Sequence, residues 1–408
     1  MNTPSHTNTP GRITSNTAAT LVALLAGLLQ ALGASAASLV GPALSQPAAS
    51  DRFLLIQRTR PAEEVTLVEI TDALVRVRDR SGSMRSIDRR ECVAAIALDV
   101  RVTPGSEGLL VLTDGQRLPG RARPGSTDGE GVLTWQHPWF ESLRIPAQRL
   151  AWARLTPNAP EPPAGDADVL LLTNGDRMEG LIESFGDEIT LDREGVSAAV
   201  PLTRVSAFRL LNPRRDPAPD TPRLWLRNDT VVDVEGLRLA EDGYLRFMLP
   251  LNSSAADEKN YRLAFVAGIL FQSGALTPLG SMTPHDVEGP RSRYLITPPR
   301  VSDAPAALDL KTVEYAGPMQ ARYTLPAGSM RFVAVARLRD DAGAWADCEV
   351  VVRDDDREVF RARLSAATRS VAVNADLSGA ELSIEVTEGA HGPIQDQVIF
   401  EQPMIIRR

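Results

Sequence analysis

The stretch "LLLTNGDRMEG" (170–180) has a near twin upstream, "LVLTDGQRLPG" (110–120). Each runs through an apolar segment, a Thr, an Asx-Gly pair, an Arg, a large apolar residue and a closing Gly. Asx-Gly between apolar runs signals a hairpin, because both central residues of a tight type I′ turn need φ > 0. Taken in isolation, either copy reads first as that turn, with a Gly-rich ligand loop as the alternative, so the surrounding pattern has to decide.

The pattern is a repeat. "GVLTWQHPWFESLRIPAQRLAWARL" follows the first copy and "EITLDREGVSAAVPLTRVSAFRLL" the second, both ending apolar-Pro-x-x-Arg-apolar. Weaker copies flank them, beginning "FLLIQRTRPAEE" and "LWLRNDTVVD". Aligning the last strands puts Ile87, Ile145, Val200 and Tyr261 in one column and Cys92, Leu150, Val205 and Val266 in another. Cys92 thus stands where other copies carry Leu or Val, which predicts a small core side chain rather than a disulfide to Cys348. Segments such as "ALVRVRD" and "YLRFML" alternate with the period of a half-buried strand. The turns recur with the strands and the outer copies drop the Asx-Gly pair, so the pair reads as a hairpin turn rather than a ligand loop.

These spacings predict an all-β chain with four degenerate repeats at about 53–101, 108–156, 168–211 and 223–272. Each repeat has the strand content of a small barrel, and a four-bladed propeller is the alternative arrangement. The Pro-rich "TPNAPEPPAGDA" (156–167) and "NPRRDPAPDTPR" (212–223) are predicted to be rigid spacers rather than shared edges. The opening L-x-L-x-(D/N)-G-x-x-(L/M)-x-G and the closing (I/V)-P-x-x-R-(L/V) resemble the Sm-like or SH3-like units of some bacterial exported proteins.

From about residue 279 the repeat is lost. "RFVAVARL", "EVVV", "LSIEV" and "QVIF" read as strands of a two-sheet sandwich. The region resembles the NPCBM/NEW2 carbohydrate-binding family, which implies a galactose-binding-like jelly roll over 280–408. The match runs through Tyr323, Leu325, Arg331 and Phe332, then Leu382, Ile384 and Val386, then Asp396, with Phe400 where Trp is usual. The chain departs from the family in lacking a His before Tyr323, in reading "RDDDRE" where the family has Asp-Gly, and in placing Gln397 after Asp396. Those departures leave the implied sandwich intact and put the implied sugar ligand in question.

The N-terminus carries Arg12, an apolar run "TAATLVALLAGLLQALG" and Ala34-Ser35-Ala36, the pattern of a signal peptide over 1–37 with a linker at 38–52. An uncleaved anchor is the other reading. The expected location is periplasmic or extracellular, with no membrane span after cleavage. A net charge of −8 over 408 residues argues against a nucleic-acid partner.

No catalytic or cofactor motif is present, and the histidines are His6, His137, His285 and His391. Neither a metal site nor a cofactor is expected. The acidic run "RDDDREVF" (353–360) reads as a solvated turn, with a Ca²⁺ contribution as the alternative. Aromatic residues are few, so their clusters are informative. Trp135 and Trp139 in "TWQHPWF" are candidates for a stacking surface, with packing between repeats as the competing reading. Trp345, His391 and Asp396 are the candidates on loops of the sandwich. Together these features predict an exported, non-catalytic protein binding polysaccharide or glycoprotein. The alternatives are an envelope scaffold that contacts other envelope proteins, and a glycoside hydrolase.

Overall fold

The computed structural model of the chain describes residues 52–98, 100–123, 131–217, 221–251, 258–289 and 297–408. The signal-peptide reading of 1–37 lies outside them. Among the described residues no helix is long and apolar enough to cross a membrane.

Between residues 52 and 270 one order of pairing occurs four times. The first unit has strands Arg52–Gln57, Glu63–Ile70, Leu74–Asp79, Met84–Asp88 and Cys92–Ala97. The second has Gly108–Leu112, Arg117–Ala122, Val132–His137, Glu141–Pro146 and Leu150–Arg154. The third has Asp168–Leu172, Arg177–Phe185, Glu188–Arg193, Val196–Pro201 and Val205–Arg209. In the fourth, Arg223–Leu226 is followed by a second strand broken into Val231–Asp233 and Glu235–Leu239, then Tyr244–Met248, Lys259–Arg262 and Val266–Leu270.

In every unit the first strand pairs antiparallel with both the second and the fifth. The second, third and fourth strands form a meander. A single 3₁₀ turn precedes each fifth strand. Pairing of the fifth strand with the first rules out the simple four-strand meander of a propeller blade. Among the described residues no fourth strand pairs with the first or fifth, so hydrogen bonding does not close any unit into a barrel.

The two alignment columns fall at equivalent places. Ile87, Ile145, Val200 and Tyr261 each stand two residues before the 3₁₀ turn, and Cys92, Leu150, Val205 and Val266 each begin the fifth strand. All four residues of the second column are buried. Cys92 and Cys348 are both free and buried, and burial pushes both thiols up to about 12.

The turns differ from the type I′ expectation. Leu172 accepts from the Gly175 N–H at 3.0 Å and donates to the Asp176 carbonyl at 2.8 Å, and Leu112 does the same with Gly115 and Gln116. Only the glycines, at φ 91° and 82°, enter the left-handed region. This is a type I turn followed by a left-handed residue at a bulge, the three-residue hairpin loop. The fourth unit keeps the geometry with Asp229 at φ 66° in the glycine position. The preceding Asx explains itself: Asp114, Asn174 and Asn228 each accept the N–H two residues on, at 3.2, 3.2 and 3.3 Å.

The units do share edges, contrary to the spacer expectation. Leu150–Arg154 pairs with Val205–Arg209, joining the second and third units, and Val266–Leu270 pairs with Cys92–Ala97, joining the fourth and first. The Pro-rich 156–167 connection lies against the third unit's fifth strand, where Arg209 donates to the Pro162 carbonyl at 2.7 Å.

Residues 276 to 407 form two facing sheets. One has the order Arg300–Val301, Val313–Ala316, Gln397–Arg407, Met330–Leu338, Ser370–Leu377, with Leu276–Pro278 also along Gln397–Arg407. The other has Asp286–Glu288, Met319–Thr324, Glu381–Glu388, Asp347–Asp354, Arg357–Ser365. Tyr315, Tyr323, Phe332, Ile384 and Phe400 lie in the core between them, and the two tyrosine hydroxyls meet at 2.7 Å.

The sandwich packs on the first and fourth units. Arg331, buried in the strand Met330–Leu338, donates to the carbonyls of Gln57 and Arg60, both at 2.5 Å. Leu308 occupies the space over Gly268, where a Cβ would come within 2.1 Å of it. Arg117 of the second unit joins Asp229 of the fourth at 3.1 Å and Asp309 at 2.7 Å.

The closing Gly of the opening stretch has a steric role. A Cβ on Gly180 would lie 2.3 Å from the Asp192 carbonyl oxygen, where the second strand crosses the third, whereas one on Gly175 would meet nothing within 4 Å. Gly180→Ala is therefore expected to cost about 2 kcal/mol or more in urea unfolding. Gly175→Asp, which copies the fourth unit, is expected to cost about 1 kcal/mol or less. Equal losses for the two variants would refute this division of roles.

Candidate functional site

The aromatic candidates of the second unit are packing residues. Trp135 is fully buried, its indole N–H directed at the Pro119 carbonyl at 3.4 Å. Trp139 is half-buried, with its ring 5.4 Å from Phe265 and 6.1 Å from Tyr261 of the fourth unit. Between them, buried His137 accepts the N–H groups of Trp139 and Phe140 on Nδ1, at 3.1 and 3.0 Å. That fixes its proton on Nε2, which meets Thr230 Oγ1 at 2.9 Å. Burial pulls its pKa down to about 3. "TWQHPWF" thus forms a seam between the second and fourth units, and neither tryptophan presents a free face to a ligand.

The sandwich candidates do come together. Antiparallel register brings segments 317–318, 339–346, 366–369 and 389–396 to one end of the two sheets. Trp345 is 60% exposed there, with the His391 ring edge-on at 5.0 Å and 85°. Ile394, which sequence reasoning did not single out, is 54% exposed on the same loop as His391.

Hydrogen bonds hold the loops. Gln395, at φ 64°, accepts the Gly343 N–H on its side chain at 2.8 Å. Arg369 donates to the carbonyls of Ala342 and Arg339 at 2.9 and 2.7 Å. Gly389 lies so close to the start of the strand Asp347–Asp354 that a Cβ would fall 1.8 Å from the Asp347 carbonyl oxygen.

Two carboxylates lie beneath, in contrasting states. Asp347 accepts both arms of Arg363 at 2.6 and 2.5 Å and the Ala390 N–H at 3.1 Å. The Arg363 hydrogen bonds first, then that backbone N–H, pull its pKa down to about 2. Asp396 is 1% exposed, accepts the Asp347 N–H on Oδ1 at 3.3 Å, and leaves Oδ2 without a partner. Burial raises its pKa to about 6, opposed by its backbone hydrogen bonds. Asp396 therefore supports the loop from below and is not itself a contact surface. The Asp347–Arg363 pair, two residues with no motif around them, had no signal in the sequence.

The acidic run 353–360 is used internally. Asp354 accepts the N–H groups of Ser378 and Gly379 as well as Arg357, and Asp355 accepts those of Ala380 and Glu381. Among the described residues no cluster of three or more His, Cys, Asp or Glu could hold a metal ion.

The arrangement offers a flat indole face, an imidazole edge and an apolar Ile394 on a fixed frame. Such a surface stacks against the apolar face of a ring or sugar. Asp347 and Asp396 beneath it are turned inward, whereas Asp340 and Asp341 of the 339–346 segment are exposed and paired with Arg337 and Arg339.

Because the folded-state pKa of Asp396 lies above the ordinary 3.8, the folded protein binds this proton more tightly than the unfolded chain. The charged form then costs stability above about pH 6, and the cost disappears as pH falls towards 4. Asp396→Asn is expected to be the more stable protein at pH 7.5 by about 1–2 kcal/mol, and to lose that advantage at pH 4. Urea unfolding at the two pH values checks it, and a pH-independent difference would contradict it.

No protein-family model matches the chain, and no curated protein matches it. Among solved structures it is similar to CBM51-2 in complex with GlcNAc and INT domains from Clostridium perfringens ZmpB, at 10% identity and TM-score 0.27, over 43% of this chain and 38% of that one. It is similar to the CBM51 from Clostridium perfringens GH95 in complex with methyl-galactose, at 14% identity and TM-score 0.26, over 32% of this chain and 99% of that one. It is also similar to the exo-beta-1,3-galactanase from Phanerochaete chrysosporium with galactose, at 10% identity and TM-score 0.21, over 87% of this chain and 95% of that one. The chain spans 38% of the length of the first of these. Overlaps this low transfer neither a fold nor a function.

Proposed function

We propose that the chain is an exported, non-catalytic binding protein that recognises carbohydrate at the loop end of its C-terminal sandwich, through Trp345 and His391. The observation that carries this reading is the exposed Trp345 ring set edge-on to His391. Large aromatic faces are costly to leave in water unless something covers them.

The same reading takes residues 280–408 as an NPCBM-like jelly roll. It takes the units at about 53–101, 108–156, 168–211 and 223–272 as degenerate SH3-like or Sm-like repeats. The supporting observation for the repeats is the strand order, fifth-first-second-third-fourth, with its 3₁₀ turn before the fifth strand. Export into the periplasm or outside the cell rests on the N-terminal apolar run and its small-residue site.

The test is affinity electrophoresis of the full chain against a polysaccharide panel, with calorimetry against methyl-galactoside and GlcNAc. The wild type is expected to bind at least one of them. Trp345→Ala is expected to weaken that binding at least about tenfold, the scale of one lost stacking contact, with thermal stability unchanged because the ring is exposed. No binding to any probe, or equal binding by Trp345→Ala, would overturn the proposal.

A further inference from the structure

The third unit differs from the other three at its outer edge. Its fourth strand, Val196–Pro201, pairs with Glu188–Arg193 and, among the described residues, with no other strand. Fourth strands are the open edges of all four units, and natural sheets protect such edges with charge. The first unit carries Arg85 and Asp88 there, the second Glu141 and Arg144, and the fourth Lys259 and Arg262. The third carries "VSAAVP", with no charge at all.

The orientation of this edge follows from its hairpin. Arg193 lies opposite Val196 across the two-residue turn Glu194-Gly195, both at positive φ, and the Leu202 N–H bonds the Asp187 carbonyl at 2.9 Å. Antiparallel alternation then gives Val196, Ala198 and Val200 to the inner ladder and leaves the backbone N–H and C=O of Ser197 and Ala199 pointing outward. Ser197 and Ala199 are exposed, and Val196 is 70% exposed. The Ser197 hydroxyl is held by Glu183 at 3.2 Å, which leaves its backbone groups free for a partner.

We propose that Val196–Pro201 is a self-association edge that pairs antiparallel with the same strand of a second copy, independently of any sugar site. The strand is self-complementary about Ala198. A two-fold axis at that residue sets Ser197 opposite Ala199 and Val196 opposite Val200 in both directions, so the outward groups of Ser197 and Ala199 satisfy one another in four hydrogen bonds. Exposed Val196 is covered by the second copy, and the small side chains allow close approach. The chain already joins its own units this way, through the antiparallel fifth-strand pairs Ala153 with Phe208 and Ile269 with Ala95.

Sedimentation of the full chain from low to high micromolar concentration tests the proposal. The wild type is expected to form a dimer, and Ala199→Lys or Ser197→Lys to weaken it at least about tenfold by placing charge on the edge, with unchanged circular dichroism. Ala198→Cys is expected to form a disulfide-linked dimer under mild oxidation, because residues facing each other at a non-hydrogen-bonded position have Cα atoms about 4.5 Å apart, within disulfide reach. The native cysteines are buried and do not compete. A wild type that stays monomeric, dimerisation unaffected by both lysine variants, or no cross-link through Cys at 198 would each overturn it.

Discussion

A strand buried on both faces must satisfy its N–H and C=O groups along both edges, because water does not reach either one. Every position of Cys92–Ala97 is buried, as is every position of Val266–Leu270. Each of these fifth strands meets the first strand of its own unit on one edge and the other's fifth strand on the other. The requirement therefore joins the first unit to the fourth across most of the repeat region. The four units cannot be independent beads on spacers. The same pairing presents Val93, Ala94, Ile96, Ala267 and Leu270 to the sandwich, where they meet Leu308, Met404 and Ile406. Gly268 sits in that surface because Leu308 fills the space a side chain would need.

The strands and their equivalences were legible because they are local. Alternation marks a half-buried strand wherever it occurs, and the two alignment columns fall at the same places in all four units, on either side of the 3₁₀ turn. The sharing of edges was not legible, since residues 94–96 and 268–270 pair across most of the repeat region and neither segment carries a mark of its partner. Their unbroken apolar character, "CVAAIA" and "VAGIL", was the available hint that both edges are covered. The turn type was missed because Asx-Gly serves two hairpin geometries. Asp229 in the glycine position shows that the left-handed residue and the preceding Asx cap are what the chain keeps.

Polarity alone did not settle which side chains are buried. Arg331 belongs to a strand that alternates, yet its guanidinium is buried against two carbonyls of the first unit, which satisfy it as water would. For His137 and Trp139 the geometry matches the reading of packing between repeats, since both lie between the second and fourth units. Trp345 and His391 were legible as loop aromatics. The pair beneath them was not, because Asp347 and Asp396 differ only in environment: one is met by Arg363 and a backbone N–H, and the other by backbone N–H groups alone.

That difference sets how the loop is held. Asp347 stays ionised well below neutral pH and grips both Arg363 and the backbone of Ala390, the residue beside His391. On the proposed reading, a ring held in place before a ligand arrives loses little conformational freedom on binding, so more of the stacking energy remains as affinity. The strand Gln397–Arg407 relates this loop to the rest of the chain. Its first residues follow the 389–396 loop, and its last reach the first unit, where Arg58 donates to the Arg407 carbonyl at 3.1 Å. Eleven extended residues separate the two ends by roughly 30 Å. The contacts of Arg58 with Arg407 and of Arg331 with Gln57 therefore bind the sandwich to the first unit towards the far end of the strand from Trp345.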